Sequence, residues 1–201
     1  MPRIPGRSTA EHIAEIAGKL FYSEGIQSLA VDRVSDLAGV TKKTLYKHFG
    51  SKELLLAAAV RGESPLAIRD HPGDAGERIA EVFQQLIHFV SQPEFQGCPV
   101  LNAAAALSDV RHPARLAIKE TRLRRRAWFR ERGVDLGASN PDVIADQLIV
   151  AFDGGLSACS ILRSRAPAHA AAKTATMIVR SIDLERDGAS EAGGSRRSTA
   201  A

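Results

Sequence analysis

The chain has 201 residues, of which 44% are hydrophobic, 5% aromatic and 25% charged, and its formal net charge is +4. The hydrophobic content supports a sizeable core, and the few aromatic residues and many alanines favour helices over strands. No run of about 18 apolar residues occurs and the N-terminus has no apolar signal segment, so we expect a cytoplasmic protein that does not span a membrane. Cys98 and Cys159 are too few and too far apart for a disulfide framework or a zinc site. Each is expected in the core, a redox-active thiol being the alternative.

A first helix is predicted to begin after Ser8 or Thr9, because either side chain can cap it. Apolar residues recur at helical spacing between residues 13 and 20. Gly25 ends this helix.

Two short helices joined by a tight turn are predicted from the apolar spacing of residues 31–49, which read VDRVSDLAGVTKKTLYKHF. Val34, Leu37 and Ala38 are expected on the inner face of the first of these helices. Gly39 supplies the turn, because glycine takes a left-handed conformation without steric cost. The pattern is that of a helix-turn-helix.

The second of these helices is predicted to expose a basic face. Thr41 can cap it, while Leu45 and Phe49 bury its inner side. Residues 37–52 contain no acid, so this face is suited to the major groove of DNA. The candidate DNA-contacting residues are Thr41, Lys42, Lys43, Thr44, Tyr46, Lys47, His48 and Lys52.

A fourth helix is predicted to begin after Ser51, and the pattern weakens between residues 62 and 76, where proline and glycine are frequent. Five more helices follow, with apolar positions within residues 79–90, 100–107, 116–128, 143–159 and 171–182. In the long helix after Pro113 the expected inner positions are Leu116, Leu123, Ala127 and Trp128.

The N-terminal third resembles the DNA-binding domain of the TetR family of bacterial transcriptional regulators. The motifs that carry the resemblance are Leu20-Phe21, Gly25, Leu37-Ala38-Gly39-Val40, Thr41, Leu45-Tyr46, His48-Phe49 and Ser51-Lys52-Glu53-Leu54-Leu55. Ala30, Ser35 and Lys43 depart from the residues usual in the family, so operator sequence cannot be transferred from relatives. The resemblance implies a helical head that binds DNA and a helical body whose last two helices form a four-helix bundle with a second copy.

With this resemblance, the sequence predicts an all-α fold of about nine helices. A helix-turn-helix DNA-binding domain is expected at residues 1–62, and a ligand-binding and dimerisation domain at residues 63–184. Residues 185–201 lack apolar anchors and are predicted to form a disordered tail.

A homodimer is expected because one recognition helix reads only a few base pairs, whereas two heads read half-sites about 34–36 Å apart. Small residues on the last two helices would let helix backbones approach closely. They are Gly154, Gly155, Ser157, Ala158, Ala168, Ala171, Ala172 and Ala175. The alternative is that these residues pack within one subunit.

The resemblance also implies that the body binds a small-molecule effector. Candidate pocket residues are Phe83, Leu86, Ile87, Val90, Leu101, Asn102, Trp128, Gln147 and Phe152. The alternative is a filled core, which every helical domain has. The arginine-rich segment 111–132 is expected to be mostly solvated, with Arg122 or Arg126 pointing inward toward an acidic effector or Asp153 as the alternative.

Catalysis and metal binding have little support, because no serine has an activating neighbour and the histidines lack metal-ligand spacing. We therefore expect no enzyme activity, no metal and no cofactor. The leading function is a DNA-binding transcriptional regulator, a repressor released from double-stranded operator DNA by an effector. The alternative is a helical small-molecule-binding protein without operator-specific DNA binding.

Overall fold

The computed structural model of the protein describes residues 8–25, 30–62, 66, 68 and 71–195, with side chains described as far as residue 184. These residues contain nine α-helices and no strand, which confirms the predicted all-α fold. The helices are α1 Thr9–Glu24, α2 Val31–Ala38, α3 Lys42–Phe49, α4 Lys52–Arg61, α5 Ala75–Val90, α6 Pro99–Ala106, α7 Pro113–Asp135, α8 Pro141–Leu162 and α9 Ala166–Ser195.

The chain forms two compact units. The head unit comprises Met1–Ala67 and Gln96–Arg122, and the body unit comprises Ile68–Phe95 and Leu123–Ala201. The predicted division near residue 62 did not include residues 96–122 in the head. They belong there because the apolar side chains of α6 and early α7 join the core of α1 to α4.

Side-chain caps explain where several helices begin. Ser8 and Glu11 form a capping box at the start of α1, in which each side chain accepts a hydrogen bond from the other residue's backbone N–H. Thr41, Ser51 and Asn140 cap α3, α4 and α8 by accepting one backbone N–H each. The caps predicted at Ser8 and Thr41 are therefore present, and α4 begins after Ser51 as predicted.

The inner face of α2 differs from the prediction at one position. Val34 and Ala38 are buried as expected, but Leu37 is 43% exposed. Ser35 is buried in its place. Val34 and Ser35 on one turn and Ala38 on the next form the buried face of α2. Leu37 lies at the edge of this face and is therefore open to solvent.

The inner face of α7 was also assigned wrongly. Leu116 and Leu123 are 51% and 53% exposed, Ala127 is exposed and Trp128 is half-buried. The buried residues of α7 include Ala114, Ala117, Ile118 and Phe129. Both sets have helical spacing, so the periodicity alone does not decide which face of α7 is buried.

Three phenylalanines form the centre of the body unit. Phe83 on α5 meets Phe152 on α8 edge-on, with 5.8 Å between ring centroids, and lies 6.3 Å from Phe129 on α7. All three are fully buried. The packing of α5, α8 and α9 around these rings makes the body a helical bundle with an aromatic centre.

Among the described helices, α8 is long and apolar enough to cross a membrane by length and composition alone. The sequence prediction counted uninterrupted apolar runs, and Asp142, Asp146 and Asp153 interrupt α8, so the absence of a membrane span stays a prediction. Core helices of soluble proteins pass the same test, and one side of α8 packs against α5 and α9.

The backbone of α9 continues to Ser195, beyond the predicted end of order at residue 184. Residues 185–195 are therefore helical rather than a disordered tail, while the prediction for residues 196–201 lies outside the described residues. No proline follows Pro167, so no residue of this segment forbids continuation of the helix.

Candidate nucleic-acid interface and subunit interface

A tight turn joins α2 to α3. Gly39 adopts the left-handed conformation, with φ 63° and ψ 34°, and its N–H donates to the carbonyl of Asp36. Val40 N–H donates to the carbonyl of Ser35 at 3.0 Å, which closes the turn. Leu45, fully buried in the head core, anchors α3 from below. The opposite face of α3 is thereby fixed toward solvent.

Two threonines order the first turn of α3. The Thr41 hydroxyl accepts a hydrogen bond from Thr44 N–H at 3.2 Å. The two hydroxyls also lie 3.0 Å apart and share a hydrogen bond. The end of the helix that enters the major groove in this motif is thus held in one arrangement.

The residues predicted to contact DNA differ in their exposure to solvent. Thr41, Lys42, Lys43, Tyr46, Lys47 and His48 are exposed, whereas Thr44 and Lys52 are half-buried. Lys52 is the first residue of α4, which begins directly after the turn that ends α3. Their accessibility to solvent is compatible with DNA contact, and the role of each residue stays a prediction.

The four lysines of this face are not equivalent. Lys42 forms an ion pair with Asp32 at the start of α2, an acid that sequence reasoning missed. No ion pair involves Lys43, Lys47 or Lys52 among the residues that the structure describes. The ten-residue separation of Asp32 and Lys42 gives no signal of pairing until the turn is known.

Glu53 is a second charge at this surface, next to Lys52. Hydrogen bonds lower the pKa of its carboxyl, first from its own backbone N–H and then from the Ser51 hydroxyl. A charged carboxylate in the first turn of α4 stabilises the helix dipole. The start of α4 therefore combines one lysine with one structural acid.

The residues predicted to form an effector pocket fall in both units. Phe83, Leu86, Ile87, Val90, Trp128, Gln147 and Phe152 belong to the body unit, and Leu101 and Asn102 to the head unit. Within the body unit Phe83, Leu86, Val90 and Phe152 are buried, Ile87 and Trp128 are half-buried, and Gln147 is exposed. The aromatic contacts of Phe83 and Phe152 describe a filled core, and the pocket stays a prediction.

Arg125, which sequence reasoning did not select, lies against this core. Its guanidinium carbon is 4.3 Å from the centroid of the Phe152 ring, within range of a cation–π interaction. A separate cleft of about 660 Å³ lies at the start of α5, and none of the predicted pocket residues lines it. Its wall includes Asp74, Glu77 and Arg78.

Part of the arginine-rich segment of α7 pairs with acids of α8. Arg126 binds Asp146 through two hydrogen bonds of 2.6 and 3.0 Å and contacts Asp142 at 2.9 Å. Arg130 donates to Asp142 at 3.1 Å. These contacts lower the pKa of both aspartates, that of Asp142 mainly through Arg130 and that of Asp146 through Arg126. Arg126 thus faces a surface network and not Asp153.

Arg122 belongs to the head unit and lies close enough to Cys98 for an electrostatic interaction. Burial lowers the pKa of its guanidinium. Both cysteines are free and buried, as expected, and burial also raises the pKa of the Cys159 thiol. No group of three or more His, Cys, Asp or Glu side chains that could hold a metal occurs among the described residues.

The small residues of α8 and α9 pack against each other within the subunit. Ala168, Ala171 and Ala175 are buried, and so is Gly155 on α8. This is the alternative that the sequence left open, and it removes these four residues from the candidate dimer surface. The reason is that the two helices approach each other so closely that only small residues fit between them.

A different face of α8 is exposed and apolar. Val143, Val150 and Ile161 point to solvent, and exposed Gln147 and Gly154 lie between them. The first four positions have the alternating four- and three-residue spacing of a helix-packing seam, and Ile161 follows Gly154 by seven residues, which is two turns. We call these five positions the α8 stripe. On α9, Met177 and Leu184 are also exposed, seven residues apart. Large exposed side chains in such an array are typical of a protein interface.

The helical fold, the capped turn and the basic face of α3 together define a helix-turn-helix DNA-binding protein. The family profile described as bacterial regulatory proteins, tetR family, matches residues 13–59. A crystal structure of a putative TetR transcriptional regulator from Streptomyces avermitilis is 31% identical, with a TM-score of 0.74, and the match covers 88% of this chain and 99% of that one.

Two further relatives agree. A TetR-family regulator from Streptomyces coelicolor is 26% identical over 88% of this chain and 97% of its own, with a TM-score of 0.72. The HTH-type transcriptional repressor DhaR of Mycobacterium sp. (strain GP1) is 27% identical over 181 residues, which are 83% of this chain and 88% of the repressor. The chain belongs to the TetR family and is a DNA-binding transcriptional regulator. Proteins of this family are typically dimeric, ligand-binding and without enzymatic activity.

Proposed function

We propose that the protein is a dimeric, cytoplasmic repressor that binds operator DNA through α3 and leaves it when a small-molecule effector binds the body. The observation that carries this proposal is the exposed face of α3, where Lys43 and Lys47 accompany Thr41, Tyr46 and His48 and no acid lies between residues 37 and 52. Cations neutralise phosphates, while hydroxyl, phenol and imidazole groups can bind base edges.

The first turn of α3 is the proposed base-reading end. Thr41, Lys43 and Thr44 lie there, and the fixed threonine pair gives the backbone a defined orientation. Lys52 at the start of α4 is the proposed phosphate contact that sets the register of the head. Ala30, where a phosphate-binding threonine is common in the family, has no hydroxyl to contribute a similar contact.

Dimerisation is proposed to occur through the α8 stripe and the exposed residues of α9. Val150 is 70% exposed, so most of its apolar surface lies in water in the single subunit. Burial of such side chains by a second copy contributes about 25 cal/mol per Å² of apolar surface. Two heads held by this contact would read two half-sites.

Effector release requires that the ligand favour a state in which the heads no longer match DNA. The proposed ligand region is the aromatic centre of the body, around Phe83 and Phe152. Arg125 beside this centre supplies a cation for an acidic group of a largely apolar effector. The helix proposed to move the recognition helix is α4, because it packs against both α1 and α3.

Repression, rather than activation, is supported by the name of the Mycobacterium relative, which is a transcriptional repressor. No enzyme activity is proposed, because proteins of this family are typically DNA-binding regulators without enzymatic activity.

The test is binding to a fluorescent duplex taken from the DNA upstream of the gene, compared with a scrambled duplex of the same composition at several salt concentrations. We expect preference for the native duplex and a strong salt dependence. Lys52→Ala should make the slope of log K against log salt shallower by about 1 per head. Lys119→Ala, at an exposed lysine of α7, is the matched control and should leave the slope unchanged. Equal binding to both duplexes would favour the helical small-molecule-binding protein instead.

A further inference from the structure

The first residue of α3 is neutralised within the head. Lys42 Nζ forms an ion pair with a carboxylate oxygen of Asp32, the second residue of α2. Both side chains are largely exposed, so the pair lies at the surface and not in the core. Asp32 thereby places a negative charge beside the residues that face DNA.

In the part of the head that the structure describes, the remaining lysines form no ion pair of this kind, although the charge of Lys52 acts on its neighbour Glu53 and lowers the pKa of that carboxyl. Among the described residues, Lys43, Lys47 and Lys52 take part in no ion pair. Arg33, which follows Asp32 on α2, is itself paired with Glu24 at 2.8 Å. The positive charge available for phosphate binding is therefore that of three lysines and not of four.

We propose that Asp32 limits the number of DNA phosphates that each head neutralises by holding Lys42 in this internal pair, and so restrains binding to DNA of any sequence. The inference rests on the proposed DNA-binding role of α3. On this inference, Lys42 is not a phosphate contact. Lys42 and Asp32 instead form a charge-neutral pair at the start of the recognition helix.

The physical reason is that Asp32 already compensates the charge of Lys42. A lysine that stays in this pair next to DNA releases no counterion from the duplex. It therefore contributes less to binding than a free lysine.

The restraint matters most for non-operator DNA. Complexes with random sequence are held almost entirely by the electrostatic contacts that release counterions. One additional phosphate contact per head strengthens such binding about fivefold at 0.15 M salt, as the slope of about 0.9 per neutralised phosphate implies. A regulator with this additional contact would spend more time on the rest of the genome.

The experiment measures binding of the full-length protein to a fluorescent duplex of random sequence between 50 and 300 mM salt. Asp32→Asn frees Lys42 with nearly the same side-chain shape. We expect its affinity at about 0.15 M salt to rise about fivefold per bound head, and the salt slope to steepen by about 1 per head. Asp36→Asn is the matched control, because it removes the same charge from an exposed residue of the same helix that forms no ion pair with any described residue. It should change the slope by much less.

A double-mutant cycle separates release of Lys42 from a general change in charge. Lys42→Ala should hardly alter the slope of the wild-type protein, but should return the Asp32→Asn slope to the wild-type value. An unchanged slope in Asp32→Asn, or a wild-type slope already made shallower by Lys42→Ala, would overturn the inference. Circular dichroism melting of each variant checks that α2 remains folded.

The result also distinguishes this inference from the proposed function. If the wild-type protein prefers its own upstream duplex but all variants have the same salt slope, only the role of Asp32 is contradicted. A wild-type protein that binds neither duplex contradicts both.

Discussion

Gly155 on α8 and Ala171 on α9 are in such close contact that a Cβ atom at Gly155 would lie 2.6 Å from the Cβ of Ala171. The same Cβ would lie 3.3 Å from the carbonyl oxygen of Pro167. The backbones of the two helices therefore meet at this point within one subunit. The adjacent Gly154 has no atom within 4 Å of its Cβ position and faces solvent.

Gly155→Ala should destabilise the subunit by about 1–3 kcal/mol, because the new methyl group overlaps Ala171 and the backbone near Pro167. Thermal unfolding measures the effect as a lowered Tm. Gly154→Ala is the matched control and should leave the Tm unchanged or raise it, since alanine favours the helix. A Gly155→Ala protein as stable as the wild type would contradict the close contact. A concentration-dependent fall in Tm for Gly154→Ala would place that glycine in the dimer interface.

Val150→Arg should produce folded monomers, because a charge buried without a partner in an apolar helix interface is strongly unfavourable. Sedimentation of the wild type and the variant measures the oligomeric state without DNA. Val110→Arg is the matched control, since Val110 is 66% exposed and belongs to the head unit. It should remain dimeric. A Val150→Arg dimer, or a monomeric wild-type protein, would move the subunit interface away from the α8 stripe.

Lys43→Gly should change which bases are preferred, because Lys43 is exposed in the first turn of α3 and no ion pair occupies it in the described residues. A selection from randomised duplexes, repeated with the variant, measures the preference position by position. The expected loss is about 1–3 kcal/mol at one base pair. A uniform loss of affinity over all sequences would instead identify Lys43 as a phosphate contact.

Phe152→Leu should alter the effector concentration needed to release DNA while leaving DNA affinity nearly unchanged, because Phe152 lies in the body unit beside Arg125. Compounds from an apolar and acidic set are first ranked by their effect on Tm and on operator binding. Phe89→Leu is the matched control, since Phe89 packs on Phe95 and takes no part in the contacts between Phe83 and Phe152. An unchanged response in Phe152→Leu would remove this ring from the site. A set in which no compound acts would favour a constitutive repressor or a thiol switch at Cys98.

The ion pairs between α7 and α8 should add a small stability that disappears in acid. The pKa of the Asp146 carboxyl is lowered by its hydrogen bonds with Arg126, so the stabilisation is present above the unfolded pKa and is lost as pH falls below about 4. Asp146→Asn should therefore have a lower Tm than the wild type at pH 7 and the same Tm at pH 2. A difference that persists at pH 2 would mean that the side chain acts through packing and not through charge.

The local features of the head could be predicted from the sequence because each depends on neighbouring residues. Thr41 caps α3 because its side chain reaches the N–H of Thr44, three residues further along the chain. Gly39 turns the chain because it lacks a Cβ. The apolar spacing identified α1 to α4, and with them the basic face of α3. These are short-range effects, so the linear order of residues is sufficient.

Features that depend on which helix faces which required the tertiary structure. Leu116 and Leu123 have the spacing of a buried face, as do Ala114 and Ala117, and only the packing of α7 determines that the alanines are buried. The pairing of Asp32 with Lys42 depends on the angle between α2 and α3. Likewise, Gly155 and Ala175 were predicted to lie at a dimer contact, and only the structure shows that both are buried within the subunit.

The sequence by itself therefore determined the helical class, the capped helix-turn-helix and the residues available to DNA, because helix formation and turn chemistry are local. Only the tertiary structure decided that the small residues of α8 and α9 are internal and that Val150 and Ile161 are exposed. It also decided that one of the four lysines is already paired. Burial and ion pairing depend on contacts between residues distant along the chain, and helical periodicity specifies a face without specifying its partner.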